Sequence, residues 1–192
     1  MHSVRHAFAA VGVPAEVTSD PAALRGASRL VLPGVGTFGA CMDRLRTTGL
    51  DEALREEVRG GKPLLGICLG MQLLGRSGSE DGETVGLGLI PAPVGRFSLQ
   101  EVGGAKIPHV GFNIVHSEPD SRLFCGLPES ADFYFVHSYR MLAKGLGGLV
   151  ATCNYGVDFV AAYENENVFA TQFHPEKSQS NGLVLLKNFL AQ

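Results

Sequence analysis

The chain reads as an α/β protein, with a three-layer, mostly parallel sheet flanked by helices and a β-rich second half. Three observations predict this. In the first half, short apolar runs ending in glycine alternate with segments whose apolar residues recur at helical spacing, the pattern of right-handed βαβ units. From Leu87 onward, segments of strand character follow one another with little helix between them. The 192 residues are 45% hydrophobic and 18% charged, a balance that suits one domain with a sizeable core and argues against disorder. A single domain over residues 1–192 is therefore expected.

The elements follow in order. Val4, Ala7, Phe8 and Val11 repeat at helical spacing, and Gly12 with Pro14 stop the pattern. Ala15 to Thr18 is expected as a short strand. Ser28 to Leu32 is a buried parallel strand running into Pro33-Gly34 and a glycine-rich loop, P-G-V-G-T-F-G. Leu45, Leu50, Leu54 and Val58 give the next segment one helical stripe, closed by Gly60-Gly61. Pro63 to Ile67 is a second buried strand, and Leu69 to Leu74 turns back into helix. The strands expected beyond are 94–98, 107–115, 132–141, 150–154, 159–164 and 168–173, with a polar hairpin turn at Glu164-Asn165-Glu166-Asn167. Gly103-Gly104 marks a loop, and Gly182 to Leu190 closes the chain as a helix carrying Leu183, Leu186 and Leu190.

Composition also excludes functions. A net charge of −3 lacks the basic stripe of a nucleic-acid binder. No apolar run reaches the ~18 residues of a membrane span, and Ala9 to Val13 is too short for a signal-peptide core. A cytoplasmic protein is expected. Cys41, Cys68, Cys125 and Cys153 lie far apart, with no C-x-x-C pair and no H-x-x-x-H, so neither a disulfide scaffold nor a metal site is expected.

The sharpest local feature is Gly66-Ile67-Cys68-Leu69-Gly70 between a buried strand and a helix. G-x-C-x-G is the cysteine form of the nucleophile elbow, a turn so tight that glycines flank the nucleophile two residues away on each side. The helix amino end favours thiolate, and the Leu69 N–H would face a developing oxyanion. A buried structural cysteine between turn glycines is the alternative. A cysteine nucleophile needs a base, and His174 in T-Q-F-H-P-E is the candidate. Pro175 biases His174 to extended geometry, which lets Glu176, two residues on, turn to the same side and orient the imidazole. Cys–His–Glu is the logic of acyl transfer. His2 and His6 read as solvated. His109, His116 and His137 read as satisfied strand histidines. The P-G-V-G loop lacks G-K-[ST] and is no phosphate loop, but it lies at the carboxyl edge of the sheet. There Val35 or Gly36 could supply a second oxyanion N–H.

Taken together, R-L-V-L-P-G-V-G-T-F, G-K-P-L-L-G-I-C-L-G-M-Q-L-L, P-H-V-G-F-N, F-V-H-S-Y and Q-F-H-P-E-K-S resemble the class I glutamine amidotransferases. More narrowly they are similar to the glutaminase subunits of imidazole glycerol phosphate synthases, from histidine biosynthesis. The resemblance implies Cys68 as nucleophile, His174 as base and Glu176 as its orienter, with Gln72, Ser138 and Tyr139 around an L-glutamine substrate. No metal or organic cofactor is implied. It implies a heterodimer with a (β/α)₈-barrel cyclase subunit that receives the ammonia, with Lys177 and Phe112 at the interface. It also implies that the Pro33-Gly34-Val35-Gly36 loop turns over to complete the oxyanion hole when the partner is loaded. Two departures stand out. The family's opening β-strand and D-Y-G-x-G-N loop are not seen here, so the first strand is apparently missing and the true start is expected upstream of Met1. Phe112 stands where the family usually has tryptophan, which keeps aromatic packing but not the indole donor. A glutaminase of another pathway, or a catalytically silent interaction subunit, are the alternatives.

Overall fold

The computed structural model describes residues 1–142 and 145–192. Helices α1 (His2–Ala10), α2 (Phe38–Thr48), α3 (Leu50–Arg59), α4 (Leu69–Leu74) and α5 (Gln179–Leu190) pack on a seven-stranded sheet. Its strands are β1 (Leu30–Pro33), β2 (Leu64–Ile67), β6 (His109–His116), β7 (Ser130–His137), β9 (Leu149–Asn154), β10 (Asp158–Asn165) and β11 (Val168–Thr171), in the order β1-β2-β11-β10-β9-β6-β7. A four-stranded sheet, β4-β3-β5-β8, holds β3 (Ser77–Gly78), β4 (Thr84–Val85), β5 (Pro93–Arg96) and β8 (Tyr139–Met141).

The α/β class and its three layers match the expectation. The large sheet is mixed rather than mostly parallel: β1, β2 and β11 are parallel neighbours, and every pairing from β11 through β7 is antiparallel. Short turns join β9 to β10 and β10 to β11 and make those pairs antiparallel, while β6 pairs antiparallel with both β7 and β9. Alternation across the sheet builds a core on each face. Leu64, Val168 and Ala170 face α2 and α3, with Met42, Leu45, Leu54 and Val58. Leu65, Ile67 and Phe169 face α1 and α5, with Phe8, Leu185, Leu186 and Phe189. A bulge between Val160 and Ala162 puts Ala161 and Ala162 on the same side.

Four expectations change. Ala15 to Thr18 is irregular: it pairs with no strand among the described residues, and an extended segment without a ladder is not a strand. The stripe from Leu45 to Val58 is two helices, because Gly49 at φ 71° is left-handed and closes α2. The expected strand over 132–141 breaks at Ser138, where the chain leaves the large sheet as β7 and enters the small one as β8. In α5 the core positions are Leu185, Leu186 and Phe189, with Leu183 and Leu190 at the margin.

Candidate active site

Register brings the reactive residues together. Ile67 lies opposite Pro33 on one side and Thr171 on the other, so β1, β2 and β11 end level at their carboxyl edge. The P-G-V-G loop, Cys68 and the Gln172-Phe173-His174 segment all leave the sheet there, where ligands of open α/β sheets bind. The Cys68 N–H donates to the Thr171 carbonyl, 2.7 Å, which ties the elbow to β11.

Cys68 has φ 53° and ψ −108°, a strained conformation for a residue with a side chain. Packing enforces it. A Cβ on Gly70 would lie 1.7 Å from the Leu32 carbonyl oxygen, and one on Gly66 would lie 2.9 Å from the Met71 nitrogen. The two flanking glycines are thus required by close approach, as the elbow reading expects. Gly34 abuts Leu69, 2.6 Å from a notional Cβ to the Leu69 Cβ, so the loop after β1 lies against the start of α4. The Val35 carbonyl accepts the Cys41 thiol at 3.2 Å, while the Val35 side chain is 78% exposed.

His174 Nδ1 bonds Glu176 Oε1 at 2.8 Å, with the carboxylate buried and the imidazole partly so. The turn that holds them is pinned at several points. The His174 N–H donates to the Tyr134 carbonyl, and Ser178 Oγ donates to the His174 carbonyl. Gly182 lets α5 approach the Pro175 carbonyl, where a Cβ would sit 1.8 Å from the oxygen. Burial pushes the His174 pKa down and is the largest single influence. The neighbouring Cys68 sulfur and the Glu176 carboxylate, both of which favour the charged ring, together outweigh it and raise the pKa to about 9. His174 Nε2 has no hydrogen-bond partner.

Gln72 is buried, and its Nε2 donates to the Tyr139 carbonyl, 2.9 Å, and to Gln172 Oε1, 3.0 Å. Gln172 in turn donates to Cys68 Sγ, 3.7 Å, and the Val136 carbonyl lies 3.9 Å from the same sulfur. Gln172 and Val136 escaped sequence reasoning. The signal for Gln172 was its position two residues before His174, just past the strand whose end is level with Ile67. Ser138 and Tyr139 form the corner between the two sheets, beside the thiol. Phe112 and Lys177 share a neighbour: Phe112 meets the Tyr134 ring edge-on at 5.5 Å, and Lys177 Nζ stands 5.7 Å over it. Among the described residues, no group of three or more His, Cys, Asp and Glu side chains converges as a metal site would. No helix there is long and apolar enough to cross a membrane.

Comparison with known proteins follows the same lines. Residues 1–192 match the family described as Glutamine amidotransferase class-I. The chain is 46% identical over 192 residues to imidazole glycerol phosphate synthase subunit HisH of Syntrophotalea carbinolica, an alignment covering 98% of this chain and 93% of that one. It is 44% identical to the protein of the same name from Moorella thermoacetica, over 97% and 87% of the two chains. Among solved structures, a crystal structure of a glutamine amidotransferase superposes with a TM-score of 0.77 at 21% identity, covering 99% of this chain and 92% of the other. That last likeness concerns the fold alone.

Proposed function

This chain belongs to the class I glutamine amidotransferase family, and from that premise we propose that it is the glutaminase subunit of an imidazole glycerol phosphate synthase, acting on L-glutamine. The observation that carries the reading is a strained Cys68 at the tip of its elbow, beside an imidazole whose other nitrogen is held by the buried carboxylate of Glu176.

His174 Nε2 takes the Cys68 thiol proton as Sγ attacks the glutamine side-chain carbonyl, forming a C–S bond and a tetrahedral oxyanion. The Leu69 N–H, with one from Val35 or Gly36, stabilises that oxyanion. The C–N bond breaks, and His174 passes its Nε2 proton to the departing nitrogen, which leaves as ammonia. Water then attacks the γ-glutamyl thioester, His174 takes its proton, and glutamate is released with the thiol restored. Glu176 keeps the proton on Nδ1 and stabilises the imidazolium throughout. Gln72, Ser138 and Tyr139 hold the substrate's main body. The chain acts as one domain over residues 1–192.

A (β/α)₈-barrel cyclase in a heterodimer is the proposed recipient of the ammonia. The outer face of the β6–β7 hairpin supports this: Val110, Phe112 and Ile114 are about half exposed in a row, and Val110 lies opposite Val136. Such a contiguous apolar strip on a small domain marks an interaction site. Lys177 adds a cation at its border. Glutamate release from glutamine, measured with the cyclase and its ribonucleotide added or withheld, tests the proposal. Release that rises sharply only with the loaded cyclase is expected. No release from folded protein in either condition would overturn it.

A further inference from the structure

His109 and His137 face each other across the β6–β7 ladder as direct partners, and their contacts determine which nitrogens carry hydrogen. His137 Nδ1 lies 2.8 Å from the Tyr139 carbonyl, which only accepts, so Nδ1 carries the proton. In the neutral ring Nε2 then accepts, and its neighbour at 3.1 Å, His109 Nδ1, donates. His109 Nε2 accepts in turn from Asn113 Nδ2 at 3.3 Å, an amide that also donates to the Asn154 carbonyl. Every ring nitrogen is used, and no carboxylate enters the chain of bonds. A further proton on His137 would set N–H against N–H. Packing fixes both rings: His109 stacks on Tyr155 at 4.0 Å and Phe135 at 4.7 Å, and His137 lies 5.2 Å from Phe159 and 5.4 Å from Phe97.

The arrangement ends at the corner where the chain changes sheets. The corner residue Ser138 belongs to neither ladder. Side chains and one backbone donor hold it: the Phe97 N–H on the Ser138 carbonyl, 2.9 Å, and Gln72 Nε2 with His137 Nδ1 on the Tyr139 carbonyl. The Val136 carbonyl on one flank is 3.9 Å from Cys68 Sγ, and the Gln72 amide on the other reaches the thiol through Gln172. We infer that His137, oriented by His109, is a positioning residue for the glutamine substrate: its Nδ1–H fixes the Tyr139 carbonyl and so the Ser138–Tyr139 corner beside the thiol. This rests on the glutaminase reading above. Burial agrees with a neutral pair, since it drives the His109 pKa down to about 4 and the His137 pKa to about 3. The Tyr139 bond opposes the fall for His137, and the charges of His109, His174 and Arg140 add to it.

Labelling of Cys68 by the chloro-dihydroisoxazole glutamine analogue acivicin, titrated to saturation, tests the inference beside labelling by iodoacetamide, which needs no recognition. An asparagine amide sits near the imidazole Nδ1 position, and a glutamine amide near Nε2. His137→Asn keeps the donor to Tyr139 and should stay within about twofold of wild type, whereas His137→Gln should raise the half-saturating acivicin concentration about tenfold. The maximal acivicin rate and the iodoacetamide rate should move less than about twofold. His109→Phe keeps the stacking but frees His137 Nε2, and should raise half-saturation about threefold. It stands in for His137→Gln if that variant fails to fold. Unchanged half-saturation in folded His137→Gln or His109→Phe overturns the inference, as does a parallel loss of all rates in both His137 variants. Wild-type protein labelled by iodoacetamide but never by acivicin would instead defeat the glutaminase reading, and the inference with it.

Discussion

Two imidazole sites, His174 and the His109–His137 pair, titrate in opposite directions. His174 has the Cys68 sulfur and the Glu176 carboxylate as neighbours, and its pKa rises to about 9; His109 and His137 have only each other, an amide and a carbonyl, and theirs fall to about 4 and 3. Burial lowers all three. What differs is whether the partner gains energy when the ring is charged. The thiol and the carboxylate together make His174 a group that can hold a proton near neutral pH and release it, which a general acid and base must do. The neutral partners make the His109–His137 pair a fixed hydrogen-bonding piece with nothing to exchange.

The largest effects should come from the charged side. Cys68→Ala should abolish glutamate release from glutamine while leaving ammonia-dependent synthesis by the cyclase intact. His174→Ala should cost at least about a hundredfold in kcat, the ordinary worth of a positioned acid–base group. His137→Asn should cost almost nothing in the same assay. Comparable losses in the two histidine variants would erase the distinction between the sites.

Glu176→Gln goes to one of its two causes, because it gives His174 a neutral partner on Nδ1 like those of the pair. A loss of about tenfold in kcat is expected, milder than removing the base, and the His174 pKa should fall. The alkaline limb of the activity profile should therefore move to lower pH. An unchanged rate and an unmoved limb would count against Glu176 as the orienter.

How far this contrast was legible in the sequence depends on distance along the chain. G-I-C-L-G and H-P-E are local, and their geometry follows from glycines and a proline within a few residues. Of the changed elements, only the break at Gly49 had a local cause, its left-handed geometry; Ala15 to Thr18 without a paired strand and Ser138 between two sheets depend on the tertiary arrangement. The histidine pair was not legible in this way. His109 and His137 each read correctly as a satisfied strand histidine, but that they satisfy one another depends on the β6–β7 register, 28 residues apart. Gln172 was hidden likewise, because its bond to Cys68 rests on the parallel register of β2 and β11.

Stability against pH should separate the sites in a smaller but signed way. Below pH 6.5 the unfolded chain takes up protons on His109 and His137 that the fold refuses until about pH 4 and 3. Their contribution, complete above pH 6.5, is lost as the pH falls through that window. His174 runs the other way: its contribution is present below pH 6.5 and lost as the pH rises through about 9. Carboxylates also titrate in acid, so the readout is a difference. Urea midpoints of wild type and of a His109→Phe/His137→Asn double variant should converge or cross between about pH 7 and about pH 4.5. Parallel curves would mean that the pair is not held neutral by the fold.

The smallest expected effect tests whether the charged site is tied to the apolar strip beside it. Tyr134 is the shared piece: its carbonyl receives the His174 N–H, its N–H donates to Ser178 Oγ, and its ring carries Lys177 on one side and Phe112 on another. Lys177 is exposed, so its contact with the ring is worth about 0.5 kcal/mol to the isolated chain, and Lys177→Ala should barely move the urea midpoint. If the strip meets the cyclase, the same change should weaken the heterodimer by at least about fivefold, because a cation enclosed at an interface counts for more than one in water. It should also alter glutamate release through Tyr134, whose backbone holds the His174 turn, while acivicin half-saturation at the His137 side stays unmoved. Titration calorimetry with the cyclase, run beside the labelling assay, reads both quantities. A variant that binds the cyclase as wild type does would put Lys177 outside the interface and leave His174 without a mechanical link to the partner.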